Sequence, residues 1–133
     1  MDIVEAVKAL NLPPHQYVVF GAGPLAAHGL RDTADVDLFV TTELYEHFRA
    51  AGWTEKATSC GKVHLASGIY EADDSWKYGD YNPTIQELVA MADLIDGVPF
   101  APLTEVLKWK RAFGRPKDKQ DVILIEQHLG AGA

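Results

Sequence analysis

The strongest constraint on the fold is a pair of short apolar segments separated by glycines, the second of which begins with acids. Residues 17–20 (YVVF) form an apolar run typical of a buried strand, and residues 35–40 (DVDLFV) form another. Between them, Pro24 suits the first turn of a helix, and Gly29 ends that helix after only about six residues. We therefore predict a strand, a glycine turn, a very short helix and a second strand that opens with Asp-Val-Asp.

Asp35 and Asp37 are two residues apart, so on a strand their side chains point to the same face, roughly 6 to 7 Å apart along the backbone. Two parallel carboxylates repel each other unless a cation lies between them. Hard oxygen ligands favour Mg²⁺ or Mn²⁺, and this geometry suits one or two such ions bound to the phosphates of a nucleotide. The alternative is structural: one of the two acids is a solvated residue on the strand face or the partner of Arg31.

The glycine turn would provide the other half of such a site. Gly21, Ala22 and Gly23 let the backbone approach an anion closely, and the N–H groups of the helix that begins near Pro24 would point at a phosphate. A dinucleotide-binding turn shares the pattern Gly21-x-Gly23-x-x-Ala26. That fold needs a full crossover helix and an acid that closes the second strand. Here the helix is short and the acids open the strand, so an NAD-type site is disfavoured.

The rest of the chain extends this unit into a single α/β domain. Helical spacing covers residues 3–10, a helix capped by Thr42 runs to Ala51, and residues 62–65 and 69–72 form the arms of a hairpin. Three more helices are predicted: one from a Thr84–Glu87 capping box to about Met91, one capped by Thr104 that ends at Phe113 before Gly114, and one from Pro116 onward.

These elements predict a small mixed sheet with flanking helices in residues 1–82, a helical C-terminal part in residues 83–129, and a loose tail at residues 130–133. The composition agrees with one globular domain, because 47% of the 133 residues are hydrophobic and 23% are charged.

The charge is distributed unevenly along the chain. Twelve Lys and Arg against nineteen Asp and Glu give a formal net charge of −7. Between positions 108 and 119 there are six basic residues and one acid, so this window carries +5 and the remainder −12. The six basic residues are Lys108, Lys110, Arg111, Arg115, Lys117 and Lys119. The net acidity argues against a broad surface for duplex nucleic acid, which requires an extended cationic face.

Simple features exclude several other classes. No apolar run reaches the roughly 18 residues of a membrane span, and the acidic start lacks the basic and apolar regions of a signal peptide, so a cytoplasmic location is expected. The single cysteine, Cys60, excludes an internal disulfide. No two histidines have the i, i+4 spacing of a helical zinc site.

Four aromatic residues could stack on a ligand or belong to the core: Tyr70, Trp76, Tyr78 and Tyr81.

The segment from Phe20 to Leu38 resembles the signature of the DNA polymerase β-like nucleotidyltransferases. That signature is a hydrophobic residue, Gly, then Gly or Ser, a spacer, and Asp-hydrophobic-Asp/Glu-hydrophobic. This sequence has Phe20-Gly21-Ala22, the spacer 23–34, and Asp35-Val36-Asp37-Leu38. Ala22 replaces the family's Gly or Ser, so phosphate binding at this position would depend on backbone donors.

The resemblance also implies further site residues. The family has a third carboxylate on a neighbouring strand, either a metal ligand or the base that accepts the proton of the attacking hydroxyl. Glu71 is our choice because it lies within the apolar arm of the hairpin, and Asp73 is the alternative. Residues 28–33 (HGLRDT) resemble the approach to the acidic motif in small family members, which adds Arg31 to the nucleotide-binding residues.

The basic window and the residues just after it also resemble part of this family. Lys110, followed by Arg115-Pro116-Lys117-Asp118 and then Asp121, is similar to the lysine-then-R-x-K-D-x-x-D ending of lincosamide- and toxin-type nucleotidyltransferases. This implies that Lys110 reaches the nucleotide's phosphates, with Arg115 or Lys117 in support, and that the acidic pair steadies the site or the preceding arginine. The alternative is that these cations solvate a helical hairpin and pair with the two aspartates.

The predicted function is therefore Mg²⁺-dependent transfer of a nucleoside monophosphate from an NTP such as ATP to a hydroxyl-type acceptor, with release of pyrophosphate. A small antibiotic, a protein side chain and an RNA end all remain open as acceptors. The alternative is a catalytically inactive nucleotidyltransferase-like domain that binds a nucleotide or a partner. Because the chain is short for this group, a second copy in a homodimer could complete the substrate cleft.

Overall fold

The computed structural model describes residues 1–58 and 61–131, so Cys60 lies outside the described residues. Within these ranges the helices and strands follow one another along the chain as α1 (Ile3–Lys8), β1 (Tyr17–Phe20), α2 (Gly23–Ala27), β2 (Val36–Val40), α3 (Thr42–Ala50), β3 (Thr54–Ala57), β4 (Val63–Ser67), β5 (Tyr70–Asp73), α4 (Ile85–Met91), β6 (Asp93–Ile95), β7 (Val98–Phe100), α5 (Leu103–Phe113) and α6 (Asp118–Ala131).

The strands form one mixed sheet in the order β3-β4-β5-β2-β1-β7-β6. β2 pairs antiparallel with β1 and parallel with β5, while β1 pairs parallel with β7. The remaining neighbours, β3–β4, β4–β5 and β6–β7, are antiparallel. β2 therefore lies in the middle of the sheet, and the strands on either side of it carry the glycine turn and the third acidic segment.

Alternate residues of the central strands pack into two hydrophobic cores, one on each face of the sheet. On β1, Val19 belongs to the first core, whereas Val18 and Phe20 belong to the second. Helices α1 and α3 cover the first face, and α4, α5 and α6 cover the second. Because both faces are buried, residues 17–20 are apolar at every position instead of alternating with polar residues.

The predicted fold class is confirmed: a mixed sheet with flanking helices and a helical C-terminal part. Helix α4 begins with the predicted capping box, in which Thr84 and Glu87 exchange hydrogen bonds of 3.1 Å. Gly114 ends α5 in the left-handed conformation, with φ at +66°. The predicted Thr104 cap is wrong, because α5 already begins after Pro102 and its N-terminus has no side-chain cap.

The structure adds three strands that the sequence analysis did not assign. All four residues of β3 are exposed, so that strand has no hydrophobic alternation to reveal it. β6 and β7 extend the sheet in a segment that we expected to be helical. They are joined by Asp96 and Gly97, whose φ angles of +51° and +81° form a two-residue hairpin turn. An Asp-Gly pair is a recognised hairpin signal, so this element could have been found.

Two helix ends also differ from the prediction. Thr41 caps α3 in place of Thr42, because its hydroxyl accepts the backbone N–H of Leu44. Helix α6 begins at Asp118, after a turn that includes Pro116, and it continues through Ala131 into the expected tail. Among the helices described for this chain, none is both long and apolar enough to cross a membrane.

Candidate active site

Asp37 and Glu71 face each other on neighbouring strands. The parallel register of β2 and β5 places Asp37 opposite Glu71, and the antiparallel register of β1 and β2 places Phe20 opposite Asp37. Burial, the hydrogen-bonding interaction with Glu71 and the negative charge of nearby carboxylates raise the pKa of Asp37 to about 7. Without a cation, Asp37 therefore binds a proton near neutral pH.

The glycine turn packs directly against this pair. Gly21 has φ at +59°, in the left-handed region, and a Cβ atom there would lie 2.8 Å from Asp37 Cβ and would overlap the carboxylate. Gly23 is required for another reason, because a Cβ atom there would overlap Val19 of β1. Gly21 and Ala22 line the cavity described next, whereas Gly23 is buried and does not.

A cavity of about 500 Å³ lies beside these residues. It is lined by Gly21, Ala22, Arg31, Thr33, Ala34, Asp35, Asp37, Glu71, Trp109, Lys110, Arg115, Lys117, Asp118 and Asp121. The cavity brings together the site residues predicted from the sequence, except for Gly23 and Asp73. It adds Thr33 and Ala34 from the approach to β2, and Trp109 from α5.

Five charged residues of this cavity form one ion-pair network. Arg31 donates to Asp121 through Nε at 2.6 Å and Nη2 at 2.8 Å. Arg115 donates to Asp118 through Nε at 2.8 Å and Nη2 at 2.9 Å. Lys110 Nζ lies between the aspartates, 3.2 Å from Asp118 Oδ1 and 3.0 Å from Asp121 Oδ2. Three cations thus meet two carboxylates, which leaves a surplus of one positive charge.

The lysine and the two aspartates of the network are buried, and both aspartates are ionised. Lys110 is 4% exposed, Asp118 is 2% exposed and Asp121 is 4% exposed. Burial by itself would raise the pKa of each aspartate, but the hydrogen bonds and charges of the bound cations outweigh it and lower both pKa values. In the described residues, Arg31 pairs with Asp121 of α6 and not with Asp37 of β2 or with Asp35, which lies just before that strand. Lys117 lines the cavity but is exposed, and within residues 1–58 and 61–131 it forms no ion pair.

The position of Lys110 is compatible with both sequence-based interpretations and does not decide between them. It lines the same cavity as the strand carboxylates, as expected for a residue near the nucleotide's phosphates. It is also paired with Asp118 and Asp121, as the structural alternative expected. Its ammonium lies 4.7 Å from the ring centroid of Trp109, a further contact that fixes its position.

A smaller cavity of about 140 Å³ adjoins the first one, and Asp73 lines only this smaller cavity. Burial raises the pKa of Asp73 to about 6, although Lys62 at 3.8 Å and His64 at 4.0 Å oppose the shift. Glu71, by contrast, lines both cavities and lies beside Asp37. Of the two candidates for the third carboxylate, Glu71 is therefore the one that contacts the acidic motif.

Sequence reasoning missed Trp109 as a cavity residue. The sequence could have indicated this residue, because Trp109 lies between Lys108 and Lys110 on the predicted helix that carries Lys110. Two aromatic residues that were weighed as ligand-stacking groups belong to the core instead. Trp76 is 3% exposed and stacks on Phe20 at 4.5 Å, and the Tyr81 hydroxyl donates to Glu105 at 3.0 Å.

The acidic residues have the chemistry of a magnesium site, because carboxylate oxygens are the ligands that this ion prefers. The raised pKa of Asp37, to which the neighbouring carboxylates contribute, marks a position where a cation would relieve repulsion. In the described part of the chain, no three His, Cys, Asp or Glu side chains are already arranged around one point closely enough to hold an ion. Metal binding would therefore require side-chain rotation near this pair.

Comparison with known proteins supports the fold. No protein family model and no curated protein matches this sequence. Among solved structures, a similar one is the crystal structure of the aminoglycoside nucleotidyltransferase ANT(2'')-Ia in complex with adenylyl-2''-tobramycin. The similarity covers 98% of this chain and 87% of that chain, with a TM-score of 0.53 and 19% sequence identity. The chain therefore has a nucleotidyltransferase-like fold.

Proposed function

We propose that the protein is a nucleotidyltransferase that uses Mg²⁺, or Mn²⁺, to transfer the nucleoside monophosphate of an NTP to a hydroxyl acceptor. The observation that carries this proposal is one cavity that holds Asp35, Asp37 and Glu71 together with a cationic network of surplus positive charge. The carboxylates suit a divalent cation, and the network suits a polyphosphate. The similarity in fold to ANT(2'')-Ia supports this kind of reaction.

In this proposal, Asp35 and Asp37 hold one or two Mg²⁺ ions, and Glu71 is a third ligand or the proton acceptor. Bound there, Mg²⁺ supplies positive charge that stabilises the phosphates as negative charge moves onto the leaving group. The raised pKa of Asp37 fits this role, because a carboxyl group that is hard to ionise alone ionises readily beside a cation.

The transfer step exchanges one phosphorus–oxygen bond for another. The acceptor oxygen forms a bond to the α-phosphorus, the bond from that phosphorus to the bridging oxygen breaks, and pyrophosphate leaves with the electron pair. Glu71 takes the proton of the acceptor hydroxyl. Gly21 and Ala22 offer backbone N–H groups to phosphate oxygens. The surplus charge of the network around Lys110, together with exposed Lys117, offsets part of the negative charge of the triphosphate.

The nature of the acceptor is also part of the proposal. ANT(2'')-Ia was crystallised with adenylyl-2''-tobramycin, an adenylylated small molecule. We therefore propose ATP as the donor and a small molecule, in preference to a protein side chain or an RNA end, as the acceptor. The net charge of −7 supports this choice, since it disfavours a large polyanionic acceptor.

The test uses ATP labelled in the α-phosphate and, separately, in the γ-phosphate, with the protein, Mg²⁺ and a cell extract as the source of acceptors. We expect label from the α-phosphate in a new compound and label from the γ-phosphate in pyrophosphate. Asp37→Asn should abolish both products. The matched control is Asp32→Asn, which removes an exposed acid that pairs with the N-terminus outside the cavity and should leave activity unchanged.

Two outcomes would overturn the proposal. One is the absence of a labelled acceptor with all four NTPs, provided that the protein is shown to be folded. The other is a product whose formation does not change in Asp37→Asn. Nucleotide binding without transfer, unaffected by Asp35→Asn combined with Asp37→Asn, would instead favour the inactive binding domain.

A further inference from the structure

A surface groove of about 370 Å³ lies between the end of α5 and the first half of α6, and we call it the helix groove. Val122 and Ile123 supply its apolar side chains. Arg111 and Lys119 also line it, and their aliphatic stems add apolar surface. The volume lies within the range of ligand-binding clefts, so the helix groove is large enough to hold apolar side chains of a partner.

The helix groove exposes part of an unusually apolar helix. In α6, residues 122–125 are four consecutive apolar residues, and they point to all sides of the helix because successive residues are about 100° apart. Ile125 is 0% exposed, whereas Ile123, about 200° away around the axis, is 47% exposed. A helix that is apolar on all sides is normally buried on all sides. The outward side of α6 therefore lacks a cover in a single copy of the described chain.

The rim of the helix groove is positively charged. Four of its lining residues are lysine or arginine, and one is an aspartate. Lys110 and Arg115 are already paired within the buried network, and Arg111 pairs with Glu126 at the surface at 3.1 Å. Lys119 is exposed and has no ion-pair partner among the residues that the structure describes. The groove therefore suits an apolar group that is flanked by negative charge.

One edge of the sheet presents this combination. Leu94, on the edge strand β6, is 72% exposed, more than any other large hydrophobic residue in the described ranges. Asp93 and Asp96 on either side of it are exposed, and Lys8 pairs with Asp96 at 2.9 Å. The opposite edge strand, β3, instead has a glutamate and a lysine among its four exposed residues, a usual protection against association. The β6–β7 hairpin thus presents an apolar side chain between acids.

The hairpin and the helix groove complement each other, whereas neither complements itself. If two grooves met, Arg111 and Lys119 would face their own copies, and two hairpins would bring Asp93 and Asp96 together in the same way. Like charges that are brought together oppose binding. A hairpin in a groove instead places opposite charges around one apolar centre. Charge therefore favours contact between these two different surfaces on two copies of the chain.

We propose that the β6–β7 hairpin of one copy docks in the helix groove of a second copy. Leu94 packs against Val122 and Ile123, and the acids beside it lie near the cations of the rim. The contact is made twice in a reciprocal two-fold dimer, or once with each neighbour in a ring or chain, and in either assembly the same two surfaces meet. None of the three apolar residues lines the larger cavity, so the proposal does not depend on the proposed reaction.

Sedimentation velocity of the unmodified chain, from low micromolar to submillimolar protein, tests for association. We expect the mean mass to rise with protein concentration. Because salt screens opposite charges at a surface, added NaCl should weaken the association. A chain that stays monomeric throughout, or one that associates more strongly as NaCl is added, would overturn the proposal.

Two single variants test the two surfaces separately. Leu94→Asp removes the apolar side chain of the hairpin, and Ile123→Asp places an acid in the groove. Each should weaken self-association at least about tenfold, the usual effect of losing a central apolar contact. The matched control is Val63→Asp, because Val63 is 48% exposed but does not line the groove, and it should associate like the unmodified chain. Circular dichroism verifies that all three variants are folded.

A mixture of the two variants gives the most specific readout. The Leu94→Asp chain keeps an intact groove and the Ile123→Asp chain keeps an intact hairpin, so the mixture should form a one-to-one dimer although each variant associates weakly alone. Damage to the fold or a different contact surface would give no such rescue. A mixture no more associated than its components would overturn the proposal, as would unchanged association in either variant or an equal loss in Val63→Asp.

Discussion

The Asp37 side chain fills the space beside the Gly21 backbone, which explains why position 21 is a glycine. The turn after β1 places the Gly21 backbone so close to β2 that a side chain at this position would overlap the Asp37 carboxylate. The left-handed φ of Gly21 then adds a second reason for glycine. A carboxylate so tightly enclosed by backbone is partly desolvated, which is the first cause of its raised pKa.

At the residue scale, we predict that Gly21→Ala is more destabilising than Gly29→Ala. Both glycines have positive φ, so each substitution should cost roughly 1–2 kcal/mol in backbone strain. Gly29 has open space around its Cβ position, whereas Gly21 meets Asp37, so Gly21→Ala should lose a further 1–3 kcal/mol, about the usual cost of overpacking. Urea unfolding of the two variants measures the difference. Equal losses would show that Asp37 moves aside freely.

At the element scale, α5 and α6 are joined to the approach to β2 by charges buried between them. Lys110 comes from α5, Asp118 and Asp121 from α6, and Arg31 from the segment between α2 and β2. Buried ion pairs contribute little net stability compared with apolar packing, but they are costly to break on one side. The network therefore holds three separate segments in one arrangement. The surplus positive charge that it contributes to the cavity consequently has a fixed position.

We predict that Asp121→Asn destabilises the protein by about 3–5 kcal/mol, because it leaves the positive charges of Lys110 and Arg31 short of a partner. Lys110→Met should cost less, since each aspartate keeps its own arginine. The matched control is Glu126→Gln, which breaks the exposed pair with Arg111 and should cost no more than about 1 kcal/mol. Chemical denaturation ranks the three variants. A loss in Asp121→Asn no larger than in the control would contradict a buried, ionised network.

At the scale of the whole molecule, the acidic centre links folding to pH. Asp37 titrates at about 7 in the folded protein, against an ordinary carboxyl value of 3.8. Its raised pKa means that the folded state binds a proton more tightly than the unfolded chain does. This contribution to stability is complete below pH 3.8 and is lost as the pH rises through about 7. Asp73, with a pKa of about 6, acts in the same direction.

We therefore predict that the metal-free protein, in a chelator, becomes less stable as the pH rises from mildly acidic to just above 7. Asp37→Asn should remove the upper part of this dependence, because the amide does not titrate. Thermal melts across the pH range measure both effects. Mg²⁺ added near pH 7 should reverse the loss and release a proton, which calorimetry in buffers of different ionisation enthalpy detects. Stability that does not respond to pH or to Mg²⁺ would contradict this account of the acidic centre.

Local pattern was sufficient for much of the fold, and the family resemblance added most of the residues that line the larger cavity. The apolar runs of β1 and β2, the Thr84–Glu87 capping box and the Gly114 helix end are short-range features that act through the residues beside them. β3 was missed because all its residues are exposed, so no alternation marks it. Its position depends on pairing with β4, which no local pattern encodes.

The features of the candidate site can likewise be divided into those set by local sequence and those set by long-range contacts. The sequence by itself determined that Asp37 lies on a strand, that a glycine turn precedes it, and that a basic segment follows at a distance, because each is a matter of residue type and spacing. The prediction that Asp35 opens the same strand was wrong, because β2 begins at Val36. Only the tertiary structure decided that Glu71 lies beside Asp37, that Lys110 is held by two buried aspartates, and that Asp73 faces a separate cavity. These are contacts between segments far apart in the chain, and such contacts depend on strand register and helix packing rather than on local propensity.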